Sequence, residues 1–304
     1  MKGIKNKVIY FFSTIFLVLT TIFFVIRLAP GDPVERILGD EASEKEISWY
    51  REQLGLDRPI SSQYIHFMKG FFIGDMGLSL FKKKPVSKLL SDHLTSTLVL
   101  ATICIFFSTI LGILGGMFSA IYKSSLFDTL LRIISLIFLS FPIFSLAPLL
   151  VLVFSIKLNI LPVSEWGGLS HMVLPSVTLI IPLASILTRV VRNKYLEEIN
   201  ALWVLVLRSK GMAEKKIRLH ILKVCLPTIL NVVAIQLAVV LAGTMITESI
   251  FDIPGVGLLL FESIQNRDYP VVQGVVVYST IIYMVVYFLV DFINEQIDPR
   301  IKEA

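Results

Sequence analysis

The sequence predicts an all-α integral membrane protein with about six transmembrane helices. Three observations carry this. Of 304 residues, 55% are hydrophobic and only 17% charged, far from the balance of a soluble domain. Mean hydropathy is +0.78. The apolar residues gather into stretches of roughly 20, the length of one bilayer crossing, while Lys and Arg cluster between them. The formal charge of +5 comes without interleaved basic and aromatic residues on a polar face, which argues against a nucleic-acid partner.

The spans are expected at 8–28, 98–122, 129–156, 172–190, 228–250 and 271–293. The first follows Lys2, Lys5 and Lys7, and its apolar run from Val8 to Ile26 is longer than a signal-peptide core. No small-x-small cleavage site follows in Arg27 to Pro33, so an uncleaved span is expected. Gly112, Gly115 and Gly116 suit the second span to close helix packing. Pro142 and Pro148 interrupt the third, and proline removes a backbone donor and crowds the preceding turn, so a kink is expected. Pro175 and Pro182 mark the start and middle of the fourth, and Leu226-Pro227 opens the fifth.

The organisation is then residues 1–28 as N-terminus and first span, 29–97 as a long loop, and 98–304 as a core of five spans. The long loop is patterned for short helices around Ile47, Tyr50 and Leu54 and around Tyr64, Phe67, Met68 and Phe71. Turn signals separate them at Asp57-Arg58-Pro59 and Gly74-Asp75-Met76-Gly77. An even number of spans places both termini on one side. The basic clusters, including Arg300 and Lys302, assign that side to the cytoplasm and leave 29–97 external.

Residues 189–226 hold nine Lys or Arg and three Glu around the apolar run Ala201 to Leu207. That run is too short to cross a bilayer. A helix there ends at Gly211, whose tolerance of positive φ suits a cap, with Arg208 and Lys210 complementing the dipole of its last turn. A second, basic helix is expected from Ala213 to Val224. Trp203, Val204 and Leu207 fall within reach of one face, and an apolar face in water needs a cytoplasmic protein to cover it.

Arg208-x-Lys210-Gly211 followed by a basic helix and Leu226-Pro227 resembles the cytoplasmic "EAA" loop of ABC importer permeases. Gly243-Thr244-Met245-Ile246-Thr247-Glu248, Phe251-Asp252-Ile253-Pro254-Gly255-Val256-Gly257, Asn266-Arg267-Asp268-Tyr269-Pro270, Gln273-Gly274, Asp291 and Asp298-Pro299-Arg300 extend the likeness. So do Gly31-Asp32-Pro33, Leu54-Gly55-Leu56-Asp57-Arg58-Pro59, Gly74 to Ser79, Leu161-Pro162, Gly167-Gly168, Leu174-Pro175 and Arg189-x-x-Arg192. Over essentially the whole chain the pattern resembles the dipeptide/oligopeptide/nickel permease family, in its B-type subunit.

The resemblance implies a multi-pass protein of a prokaryotic plasma (inner) membrane. It implies a heterodimer with a C-type permease, two cytoplasmic ATP-binding subunits and an extracytoplasmic substrate-binding protein. Trp203, Val204, Leu207, Arg208, Lys210 and Gly211 would form the coupling helix on the ATPase. The sequence departs from the family at Leu202, Leu207 and Ser209, where an acidic residue and small alanines are usual. Glu248, Phe251, Pro254, Gly255, Arg267 and Asp268 are candidates for an external gate or a binding-protein contact. The cargo would be small peptides or a chelated metal such as nickel.

No phosphate-binding Gly-x-x-x-x-Gly-Lys-Ser/Thr motif occurs, so ATP and its Mg²⁺ are expected on partner subunits, and the chain itself is expected to be non-catalytic with no cofactor. His66, His93, His171 and His220 are scattered without ligand spacing, and Cys104 and Cys225 read as small apolar residues, so no metal site is expected. A secondary transporter would need ionisable groups at mid-membrane, and an intramembrane protease would need paired catalytic groups there. Arg132, Arg189, Glu248 and Asp291 instead fall near span ends.

Overall fold

The computed structural model describes residues 2–28, 31–39 and 42–297. Its regular elements are helices, with one isolated bridge between Leu78 and Pro85. In order they are α1 (Lys2–Leu28), α2 (Pro33–Leu38), α3 (Glu44–Gln53), α4 (Ile60–Phe72), α5 (Val86–Ile121), α6 (Leu126–Ser140) and α7 (Ile143–Leu150, continued as a π-helical turn over Val151–Lys157). There follow α8 (Leu169–Ile199), α9 (Leu202–Ser209), α10 (Glu214–Leu241), α11 (Met245–Ile250), α12 (Val256–Gln265) and α13 (Tyr269–Ile297). Segments of α1, α5, α8, α10 and α13 are long and apolar enough to cross a membrane. A sixth crossing exists if α6 and the helix from Ile143 to Lys157 count as one span, bent by 103°.

Four boundaries differ from the sequence reading. At Phe141 and Pro142 the third span breaks outright, because a residue before proline is driven out of the helical region and both adopt extended ψ. The second span starts at Val86, since the polar turns before Leu98 remain helical. At 36 residues it is ~54 Å long, well beyond the ~30 Å hydrocarbon core. The fourth runs on to Ile199, so Arg189, Arg192 and Lys194 are helical and not part of a loop. The basic helix and the fifth span form one rod, α10, that passes through Pro227 and stops at Leu241. Gly243 ends it with a φ of 107°, and a Cβ there would lie 2.7 Å from the Gly257 nitrogen. The Asp298-Pro299-Arg300 motif lies outside the described residues.

The chain divides into two compact units. The first comprises Met1–Thr97, Ala242–Met245 and Pro254–Met284. Its short helices form where the apolar pattern placed them and are capped by their own sequence. Asp32 accepts from the Val34 N–H at 2.8 Å, and Ser43 and Glu46 make a reciprocal capping box on α3. The Ser43 hydroxyl and N–H hold the Glu46 carboxyl below its usual range. Phe67, Met68 and Phe71 of α4 pack on Ile15 and Leu19 of α1 and Val277 of α13. Phe23 stacks on Phe67 with centroids 5.6 Å apart, and Arg27 sits 3.5 Å over the Phe23 ring while donating to Gln63 Oε1. A second core joins Val86, Leu89 and Leu90 of α5 to Val256 and Leu259 of α12 and Val271 and Val275 of α13.

The second unit comprises Leu98–Leu241, Ile246–Ile253 and Val285–Ala304. Here α5 and α8 approach closely at the glycine cluster: a Cβ at Gly116 would meet the Thr188 carbonyl oxygen and Val191 Cβ at 2.6 Å. The packing role read from the sequence for these glycines holds. Beside them lies a buried ion pair that the sequence reading missed. Asp128 at the start of α6 accepts from Arg192 Nε at 2.8 Å and Nη2 at 3.0 Å, from Ser119 Oγ at 2.6 Å and from the Ser124 N–H at 3.0 Å. It ties α5, α6 and α8 together.

Arg192→Met removes the main partner of the Asp128 carboxylate. The expected loss is about 2–3 kcal/mol, below the roughly 3–5 kcal/mol of a fully dry pair, because the half-exposed Arg132 stays 3.5 Å from Asp128 Oδ1. Thermal unfolding in detergent should show a Tm drop that Asp128→Asn partly restores when added to Arg192→Met. A double variant no better than the single one would contradict this pairing.

Candidate coupling surface and external clasp

The short helix α9 is built as an amphipathic platform. It spans Leu202–Ser209 and ends in a Schellman motif: the Gly211 N–H donates to Arg208 O at 2.9 Å and the Met212 N–H to Leu207 O at 3.1 Å, with Gly211 at a φ of 73°. Val204 is completely buried in a cluster with Ala120, Leu187, Val191, Tyr195, Ile217, Ile221, Cys225 and Ile229, and Trp203 and Leu207 pack against it. The Trp203 indole N–H donates to Glu198 Oε2 at 3.1 Å, and Glu198 is paired with Lys194 at 2.8 Å.

Trp203, Val204 and Leu207 therefore do share a face, but it is turned onto the chain's own helices, and the expectation that they form the outward face is corrected. The residues left outside are Leu202 at 81% exposure, Leu205 at 62% and Val206 at 49%, followed one turn later by Ser209. Spacing of i, i+3, i+4 and i+7 makes these one stripe. Leu205 and Val206 were missed because the run is apolar on both sides, and sequence alone cannot say which side α8 and α10 claim. Arg208 is held by Glu214, Nε to Oε1 at 2.7 Å, which fixes the end of α9 to the start of α10. Lys210 is exposed beside Gly211.

The six candidates for a gate or a binding-protein contact fall in different units. Glu248 and Phe251 belong to the second unit and are buried. Phe251 sits in a cluster with Leu100, Cys104, Ala147, Val151, Leu174 and Leu179, which makes it a core anchor where a gate was expected. Pro254, Gly255, Arg267 and Asp268 belong to the first unit. Gly255 is the N-cap of α12, whose first N–H, from Val256, donates to Thr97 Oγ1 at 2.9 Å. Pro254 is exposed just before it.

Asp268, only 2% exposed, is a clasp. It accepts from the Ser79 hydroxyl, the Leu80 N–H at 3.0 Å and the Phe81 N–H at 3.4 Å, pinning the 78–85 hairpin to the start of α13. Lys82 adds an ion pair to Glu262 at 2.7 Å. Asp268 was expected at an external gate or a binding-protein contact; three donors and burial make it a structural acceptor. Arg267, at a φ of 55°, lays its guanidinium on Gly31, where a Cβ would fall 1.1 Å from Nη1. Among the described residues, no three His, Cys, Asp or Glu side chains gather as a metal site.

Residues 112–303 match the family described as "Binding-protein-dependent transport system inner membrane component", and residues 3–101 match its N-terminal companion. The chain is 33% identical over 290 residues to a probable peptide ABC transporter permease protein, y4tP, of Sinorhizobium fredii, covering 92% of this chain and 93% of that one. It is 31% identical to the glutathione transport system permease protein GsiC of Escherichia coli K12, covering 95% of each. An inward-facing structure of the MetNI methionine ABC transporter shares its fold, with a TM-score of 0.58 at 20% identity over 70% of this chain and 97% of that one. The chain belongs to the binding-protein-dependent transport system inner membrane components, as a permease subunit of an ABC importer.

Proposed function

We propose that this subunit forms one half of the path by which short peptides cross the membrane, and that α9 couples that path to a cytoplasmic ATPase. The single observation that carries the coupling reading is the stripe of Leu202, Leu205 and Val206, exposed on a helix whose other face is buried. Partners of the kinds the family implies complete the machine: a C-type permease, two ATP-binding subunits and an external binding protein. ATP and Mg²⁺ belong to the ATPases, and this chain performs no chemistry of its own. Short peptides, glutathione-like tripeptides among them, are favoured as cargo by the names of the relatives, which offer nothing for a nickel chelate or for an ion-gradient mechanism.

The mechanism follows from how α9 is mounted. Its inner face shares one core with α5, α8 and α10, and Arg208 and the Schellman turn fix its far end. A displacement of the ATPase surface would move α9 as a rigid foot, and the long rods α8 and α10 would carry the motion into the membrane. The basic residues around α9 set its side as cytoplasmic, with both termini on that side and 29–97 outside.

Two experiments test this. Ser62→Cys and Ser209→Cys, both exposed, should label with a membrane-impermeant thiol reagent from opposite sides, the native Cys104 and Cys225 being buried; labelling of both from outside would overturn the topology. Leu205→Asp should leave the subunit's Tm unchanged, since the side chain is exposed, yet bury an unpaired carboxylate in the docked complex. ATPase stimulation by tripeptide-loaded binding protein should fall at least tenfold. Full stimulation in that variant would remove the stripe from the interface.

A further inference from the structure

The first unit holds an open cavity of about 690 Å³, bordered by Leu78 and Leu80 of the clasped hairpin and not used by the coupling surface. Its size is that of a small-molecule pocket, typically ~300–1,000 Å³. Three sequence-distant segments converge on it: the Leu54–Arg58 turn, the Asp75–Leu78 turn and Tyr269–Gln273 at the start of α13. Each is one of the segments singled out in the sequence, and none is explained by coupling.

Gln63 organises the wall. Its Oε1 accepts from Arg27 Nη2 at 3.0 Å and Nε at 3.2 Å, and its Nε2 donates to Arg58 O at 2.9 Å and Leu56 O at 3.2 Å. One amide thus locks α1, α4 and the 54–58 turn around the space. Three permanent cations line it, Arg27, Arg58 and Lys69, against one carboxylate, Asp75, which already accepts from the Gly77 N–H at 2.8 Å. Arg27 donates to neutral oxygens, Gln63 Oε1 and Phe23 O. Gln273, 6% exposed and part of the lining, keeps its Nε2 without a hydrogen-bond partner among the described residues. Phe67, Met76 and Leu80 supply apolar surface. An excess of cationic side chains beside apolar ones makes a receptor for an amphipathic anion.

We propose that this cavity is a binding site for a small organic carboxylate with an apolar body, held by Arg58 and Lys69. The proposal does not depend on the nature of the transported cargo. It assigns the first unit a ligand site of its own.

The test uses the assembled transporter in lipid nanodiscs without its binding protein. N-acetyl-Leu-Leu, its C-terminal amide and inorganic phosphate are titrated in turn by calorimetry. Saturable binding of the acid is expected, at least tenfold weaker for the amide and for the Arg58→Gln/Lys69→Gln double variant, with phosphate failing to compete. Both substituted side chains are exposed, so an unchanged Tm confirms that the variant is folded. Equal binding of acid and amide, full binding by the double variant, or no saturable binding at millimolar acid would each overturn the site. Displacement by phosphate alone would overturn the carboxylate assignment, marking a bare-anion or lipid-headgroup site.

Discussion

Burial of Val204 is the constraint on which the functional reading rests. A helix of eight residues does not hold itself together in water, because nucleation outweighs so few intrahelical bonds. Tertiary packing must supply the difference, and here Val204, Trp203 and Leu207 do so by joining the core of α5, α8 and α10. The same packing decides what remains outside. Had the chain covered Leu202, Leu205 and Val206, the surface offered to a partner would have been indole and Glu198, a different recognition problem.

The Asp128–Arg192 pair and the glycine contact act on that core from its flank. Gly116 lets α5 and α8 approach to backbone distance, and the ion pair then locks α6 to both. A methyl group at Gly116 or an unpaired carboxylate at Asp128 would perturb the support of α9 without touching its exposed face. The first unit uses the same device with other residues. There a buried carboxylate, Asp268, holds a hairpin by accepting from a hydroxyl and two backbone N–H groups, and Gly274 lets α13 approach Val86 of α5. In both units a single acidic side chain closes a loop that apolar packing alone leaves loose.

Helix type and approximate position were legible because roughly 20-residue apolar runs have few other meanings. The glycine contact was legible for a similar reason, since Gly112, Gly115 and Gly116 repeat on one helical face. Boundaries were less so. Hydropathy sees where a helix enters lipid, not where it begins, so the polar turns of α5 before Leu98 and of α8 after Arg189 went unread. Proline was misjudged in both directions: at Pro142 the chain breaks, while at Pro227 it continues, because Ile221, Cys225 and Ile229 pack on either side of the defect. The site was the least legible part. Composition marked Ala201–Leu207 as needing cover, but two apolar faces on one short helix carry no label for which is kept. The roles of Asp268 and Asp128 could not be read from the sequence, since their partners lie 188 and 64 positions away.

The central claim is that the stripe of Leu202, Leu205 and Val206 meets the ATPase while the face of Val204 and Leu207 stays within the chain. Site-specific photocross-linking measures this directly, with benzoylphenylalanine placed at Leu205 in one complex and at Leu207 in another. The account predicts an adduct to the ATP-binding subunit from position 205 and only intrachain products from position 207. An ATPase adduct from 207, or none from 205 in an assembled complex, would contradict it.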